Sequence, residues 1–233
     1  RNVLVMTPNG GVIKRTPAYK NETNLQTING KILLDEKGNV SAKIKRVSKG
    51  LQYDDKFSYE NFTEEELIKS YKSNDWSYNN NLEIESFKLK NDKDSISFTE
   101  DLKITITNYA SINDQEYLFR VNVFNKETRI PKRYRKRNLP LKISVGYKDV
   151  DEYEFKIPEN YVLNFLPQEK EITSKFGSYK VTFTKIDDTT FKYHKTISIK
   201  EGVYPKEDYK AYRSFRRSIA KYENLRIAIN KKI

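Results

Sequence analysis

GSYKVTFTKIDDTTFKYHKTISIK, residues 177–200, holds the first reading of the fold. Tyr179, Val181 and Phe183 alternate with Lys180, Thr182 and Thr184. Past Asp187-Asp188, Phe191, Tyr193, Ile197 and Ile199 fall on one face, with Lys192, His194, Thr196 and Ser198 on the other. Period-two alternation sets one face of a strand in a core and the other in water, which suits antiparallel sheets with one exposed face. The acidic pair between the two runs reads as a solvated turn.

The same period recurs outward from this stretch. Leu102, Ile104 and Ile106 alternate with Lys103, Thr105 and Thr107, and Tyr153, Phe155 and Ile157 alternate with Glu152, Glu154 and Lys156. In NLEIESFKLK, residues 81–90, the phase slips between Ile84 and Phe87, which predicts a bulge or a strand break. Asn9-Gly10-Gly11 suits a hairpin. Asn29-Gly30 and Lys37-Gly38-Asn39 read as turns bracketing a short apolar strand, Ile32 to Leu34.

Two stretches read as helix. In NFTEEELIKSY, residues 61–71, Thr63 and Glu66 form a capping box. In YPKEDYKAYRSFRRSIAKY, residues 204–222, Pro205 starts a helix, and Glu207 and Asp208 favour its N-terminal end. Ala211, Tyr212, Phe215, Ile219 and Tyr222 make its apolar stripe, opposite Arg213, Arg216, Arg217 and Lys221. Strand and helix do not alternate, which argues against a parallel α/β sheet. The expectation is a mainly β chain of antiparallel β-sandwich-like domains. An extended exit segment or linker occupies 1–24. A first domain with one short helix spans 25–138, and a C-terminal β domain with an amphipathic helix at 205–222 spans 139–233.

Composition bounds the chemistry. Of 233 residues, 44 are basic and 32 acidic, a net charge of +12 that favours encounter with anionic partners. The 17 Tyr and 12 Phe argue against disorder and place tyrosine rings in the core. Without cysteine there is no disulfide, thiolate catalysis or iron–sulfur cluster. No apolar run approaches the roughly 18–20 residues of a membrane span. The sequence opens on Arg1 with its one Met at position 6, and the expectation is that this is not a native start and that a segment upstream has been removed. The lone histidine, His194, falls on the polar face of its strand, away from any nucleophile pattern. Phosphate-loop signatures are absent, NDKDS at 91–95 reads as a hairpin turn, and no cofactor is expected.

Two stretches are candidate sites. RIPKRYRKRNLP, residues 129–140, concentrates Arg129, Lys132, Arg133, Arg135, Lys136 and Arg137. Such a cluster can neutralise phosphates or sulfates; it also makes a solvated joint between folded pieces, and both readings stay open. Arg213, Arg216 and Arg217 are possible additions to it. NDWSYNNN, residues 74–81, sets Trp76 and Tyr78 two apart, as rings that stack on sugars or bases or as a loop whose Trp tucks onto the core.

IPENYVLNFLPQEKEITSKFGSYKVTFTK, residues 157–185, followed by residues 197–229, resembles the C-terminal domain of bacterial transglutaminase-like proteins. The resemblance rests on Pro158, Pro167, Phe176-Gly177-x-Tyr179 and Tyr204-Pro205-x-x-Asp208-Tyr209. It covers about 145–230, with Arg137 to Pro140 as the step into the domain. It implies a non-catalytic accessory or interaction module of an exported protein, periplasmic or on the cell surface. That module would position or stabilise an upstream transglutaminase-like core of the same polypeptide. The Cys-His-Asp triad of that core has no counterpart here, and no enzyme activity is expected. The alternative expectation is a binding module for sulfated glycan or nucleic acid, working through the 129–137 cluster.

Overall fold

A computed structural model of the protein describes residues 2–15, 19–113, 116–163 and 165–232. A hairpin of β1 (Asn2–Thr7) and β2 (Gly10–Arg15) forms a two-stranded sheet of its own. Then come β3 (Leu25–Leu34), β4 (Val40–Lys49), the short helices α1 (Leu51–Asp54) and α2 (Glu64–Ser70), β5 (Leu82–Asp92) and β6 (Ser97–Ile106). β7 (Ser111–Asn113), β8 (Glu116–Arg120) and β9 (Leu141–Ile143) are short. β10 (Tyr147–Lys156), β11 (Tyr161–Val162), β12 (Lys170–Ser174), β13 (Gly177–Lys185) and β14 (Thr190–Ile199) follow. β15 (Gly202–Tyr204), α3 (Tyr209–Glu223) and β16 (Arg226–Lys231) complete the order.

The mainly β, antiparallel-rich fold is as the sequence predicts. Its centre is an eight-stranded sheet in the order β12-β13-β14-β10-β3-β4-β6-β5. A four-stranded sheet, β11-β16-β8-β7, supplies the second layer. All neighbours in the large sheet are antiparallel except β3 and β10, which run parallel from Lys148 opposite Leu25 to Lys156 opposite Leu33. This pair crosses the boundary expected at 138–139. The second sheet crosses it too, since β8 pairs with β16. Sequence on either side of that boundary thus shares two sheets and one core. Edge-to-edge pairing of β3 with β10 satisfies backbone groups that separate sheets would leave open.

Aromatic pairs across adjacent strands build the core. Phe155 stacks on Phe191, directly opposite, with ring centroids 4.9 Å apart, and Tyr153 stacks on Tyr193 at 5.5 Å. Phe119 of the second sheet reaches Phe155 at 6.0 Å and ties the layers together. Such pairs add to the burial of large apolar rings. Asn29-Gly30, expected as a turn, lies inside β3 instead. A Cβ on Gly30 would stand 3.1 Å from the Tyr153 ring, so glycine there makes room for the core aromatic on the parallel neighbour.

Local expectations hold elsewhere. Gly38 turns β3 into β4 at a φ of 75°. The register of β5 against β6 shifts between Ile84 and Ser86. Thr63 and Glu66 form both hydrogen bonds of the capping box that opens α2. In α3, Phe215 and Ile219 are buried as the stripe predicts. Arg216, expected on the solvent face, is buried as well, because it pairs with Glu127 at 2.6 Å.

Candidate functional site

Residues 121–140 form no helix or strand, and α3 holds this stretch by its backbone. The Tyr209 hydroxyl donates to the Lys132 carbonyl at 2.7 Å, and Arg213 Nε donates to the Pro131 carbonyl at 3.0 Å. Arg137 lies over the Tyr209 ring, 4.3 Å from its centroid, and donates to the Pro140 carbonyl at 3.0 Å. Side chains from this stretch and α3 line a cleft of about 650 Å³.

The structure therefore divides the basic residues. Arg137, Arg213 and Arg216 serve the fold. Arg129, Lys132, Arg133, Arg135 and Lys136 are exposed, and among the described residues none has a carboxylate within ion-pair distance. Of the helix arginines offered as additions to the cluster, only Arg217 remains exposed.

Trp76 is not a contact residue. It is fully buried, stacks on Tyr71 at 5.1 Å, and donates its indole N–H to the Phe124 carbonyl at 2.9 Å. A large apolar ring with its one polar group satisfied belongs in a core. Tyr78 is half-buried, with its hydroxyl accepting from the Lys126 backbone N–H at 3.3 Å. Neither ring is presented as the stacking reading requires.

Sequence reasoning missed two buried charge networks. In the first, Arg46 grips Glu100 through Nε at 2.5 Å and a second nitrogen at 2.6 Å, and reaches Asp75 at 2.8 Å. Lys56 also pairs with Asp75, at 2.7 Å. Burial works against the charge on Arg46, but Glu100 and Asp75 outweigh it and hold the guanidinium protonated.

The second network centres on Lys195, whose ammonium lies 2.7 Å from Asp151 Oδ2 and 3.6 Å from Glu223. The same ammonium donates to the Asn125 carbonyl, 2.6 Å away. Glu223 accepts from the Tyr179 hydroxyl at 2.9 Å, the Asn122 amide at 2.7 Å and the Glu127 N–H at 2.7 Å. Asp149 accepts from Gln52 at 2.9 Å and borders a cleft of about 590 Å³ with Asp54 and Asp55. Burial pushes its carboxyl up to about 6; Lys195 opposes that and Asp151 adds to it. Burial likewise raises Asp151 and Glu223.

A signal for this network lies in the strand phase. Lys195 falls on the same face as Tyr193 and Ile197, and Asp149 and Asp151 precede Tyr153 and Phe155 on theirs. Glu223 stands four residues after Ile219, on the apolar stripe of α3.

His194 lies on the outer face of the large sheet, opposite Glu152 and Thr182. Asp187 closes the β13–β14 turn by accepting from the Thr189 N–H at 2.7 Å, and Asp92 closes β5–β6 by accepting from the Ser95 N–H at 3.0 Å. Among the described residues no group of three His, Asp or Glu is placed to hold a metal, and no helix is long and apolar enough to cross a membrane.

The N-terminal hairpin has the opposite character. Leu4 is 65% exposed, Met6 75% and Ile13 72%. Leu4 stands directly opposite Ile13, and Met6 follows Leu4 by two residues, so these apolar side chains share one face.

Fold and sites together define a β-rich module with two buried charge networks, an exposed basic segment and an apolar hairpin. Residues 114–229 match the family model described as a Domain of Unknown Function with solved structure, DUF3858. No curated protein and no solved structure matches the chain.

Proposed function

We propose that this chain is a non-catalytic docking module of an exported, bacterial transglutaminase-like polypeptide. In this reading the β1–β2 hairpin seats on the catalytic core and fixes its position. The observation that carries it is the exposure of Leu4, Met6 and Ile13 on one face of a hairpin that joins neither large sheet. An isolated two-stranded hairpin is marginal in water, and a clustered apolar face marks a surface meant for cover. Matching of the C-terminal half to a domain of unknown function is compatible with an accessory role. The test is titration of the chain with the transglutaminase-like core of the same polypeptide. The parent chain binds it, and Leu4→Ser/Met6→Ser/Ile13→Ser does not. Equal binding by both, or a polypeptide without such a core, overturns the reading.

A second reading is favoured by the five exposed basic residues between Arg129 and Lys136, which have no carboxylate within ion-pair distance among the described residues. Here the segment contacts an acidic polymer. Titration with duplex and single-stranded DNA, with the cluster intact or changed to Ser, checks it. Salt-steep binding that vanishes in the variant supports it; weak binding that ignores the substitutions removes it.

A further inference from the structure

The outer face of the eight-stranded sheet carries a row of side chains set by register. Lys31 of β3 is directly opposite Lys43 of β4, and Lys43 is directly opposite Lys103 of β6. All three are exposed and point to the same side. Adjacent strands lie about 4.8 Å apart, so three ammonium groups are anchored side by side. Like charges directly opposite one another weaken a sheet. Glu154 flanks the row beside Lys31 and Ser86 ends it beside Lys103. Among the described residues no carboxylate lies within ion-pair distance of any of the three lysines.

The row crosses a depression of about 590 Å³, lined by six lysines against three carboxylates. That volume suits a small-molecule or sugar-sized ligand. One of the carboxylates, Glu152, is already engaged. Asp101 stands between Lys45 and Lys88 in the neighbouring row, and Glu152 lies 3.9 Å from Lys192. The lysines of the lining outnumber its carboxylates by three, and Lys31, Lys43 and Lys103 form a run of neighbours with no carboxylate between them.

We propose that this depression binds an anionic saccharide, with a sulfate or phosphate ester held among Lys31, Lys43 and Lys103. A tetrahedral anion offers three outward oxygens, which answers three neighbouring donors on flexible side chains. Asn29, beside Lys45 on the floor, and Ser86 at the end of the row face sugar hydroxyls. Nucleic acid fits less well. The one aromatic residue of the lining, Phe87, is packed against the core, which leaves no free ring for a base to stack on. Glu152, Glu154 and Asp101 would also repel a continuous phosphate backbone, while they can accept from hydroxyls. This surface is separate from the 129–137 segment and from the hairpin, and its ligand is independent of the proposed docking.

Calorimetric titration of the full chain tests the site, with a heparin-derived hexasaccharide, a phosphorylated oligosaccharide, inorganic phosphate and duplex DNA as probes, at low and moderate salt. Three proteins are compared: the parent, Lys31→Gln/Lys43→Gln/Lys103→Gln, and Arg133→Ser/Arg135→Ser/Lys136→Ser. At least one oligosaccharide should bind the parent more tightly than phosphate alone, and which one binds identifies the ester. Substituting the lysine row should weaken that binding by about tenfold or more, with a smaller salt slope. The same variant should melt higher than the parent, because the like-charge row is gone, which separates lost binding from lost folding. The 133–136 variant should keep the affinity. Unchanged affinity in the lysine variant, loss only in the 133–136 variant, or tighter binding of duplex DNA than of either oligosaccharide overturns the proposal.

Discussion

The Lys195 ammonium lies 2.7 Å from the Asp151 carboxylate, and both side chains are wholly withdrawn from water. Two strands that pair at these very positions, β10 and β14, place them there. Removing one member leaves the others as uncompensated buried charge. Lys195→Met is expected to cost about 3–5 kcal/mol of stability, measured by denaturant unfolding. Adding Asp151→Leu should recover part of that loss. A single variant as stable as the parent would mean that the network is not paired as described.

Asp149 makes stability depend on pH. Burial, opposed by Lys195, lifts its carboxyl from an ordinary 3.8 to about 6. The folded state thus holds this proton more tightly than the unfolded chain does. The resulting stabilisation is complete below pH 3.8 and is lost as pH rises through about 6. Two pH units correspond to roughly 3 kcal/mol. The stability difference between the parent and Asp149→Asn should therefore shift against the parent by an amount of that order between those pH values. Parallel curves would contradict the assignment.

Gly177 begins β13 at a φ of 146°, and a Cβ there would stand 1.9 Å from the Ser198 carbonyl oxygen. Any side chain must displace the backbone of β14 and adopt a conformation that L residues rarely take. Gly177→Ala is expected to lower stability by more than about 1 kcal/mol. Thermal unfolding reads this directly, and an unchanged midpoint would contradict the close approach.

Much of the fold was legible because its strands obey a local rule. Tyr179 to Phe183 and Phe191 to Ile199 alternate, and the structure buries the faces they predict. The capping box at Thr63 and the slip after Ile84 are equally local. The parallel pairing of β3 with β10 is different, since nothing near Leu25 or Tyr147 encodes a partner so far along the chain. That pairing joins the two halves, converts Asn29-Gly30 from turn to strand, and makes room for Tyr153. The lysine row depends on register in the same way, because Lys31, Lys43 and Lys103 are neighbours only once the strands are aligned. The 129–137 cluster was visible as charge, but its attachment depends on Tyr209 and Arg213 reaching backbone carbonyls. Trp76 carried both readings in sequence, and the carbonyl of Phe124 decides for the core.

Amide hydrogen exchange across residues 2–15 tests the proposed docking role most directly, measured for the chain alone and with the transglutaminase-like core that the proposal places in the same polypeptide. A lone hairpin with Leu4, Met6 and Ile13 in water should exchange rapidly, and the core should slow it selectively relative to β3 and β14. Protection already complete in the chain alone, or exchange that the core leaves untouched, would contradict docking through this hairpin.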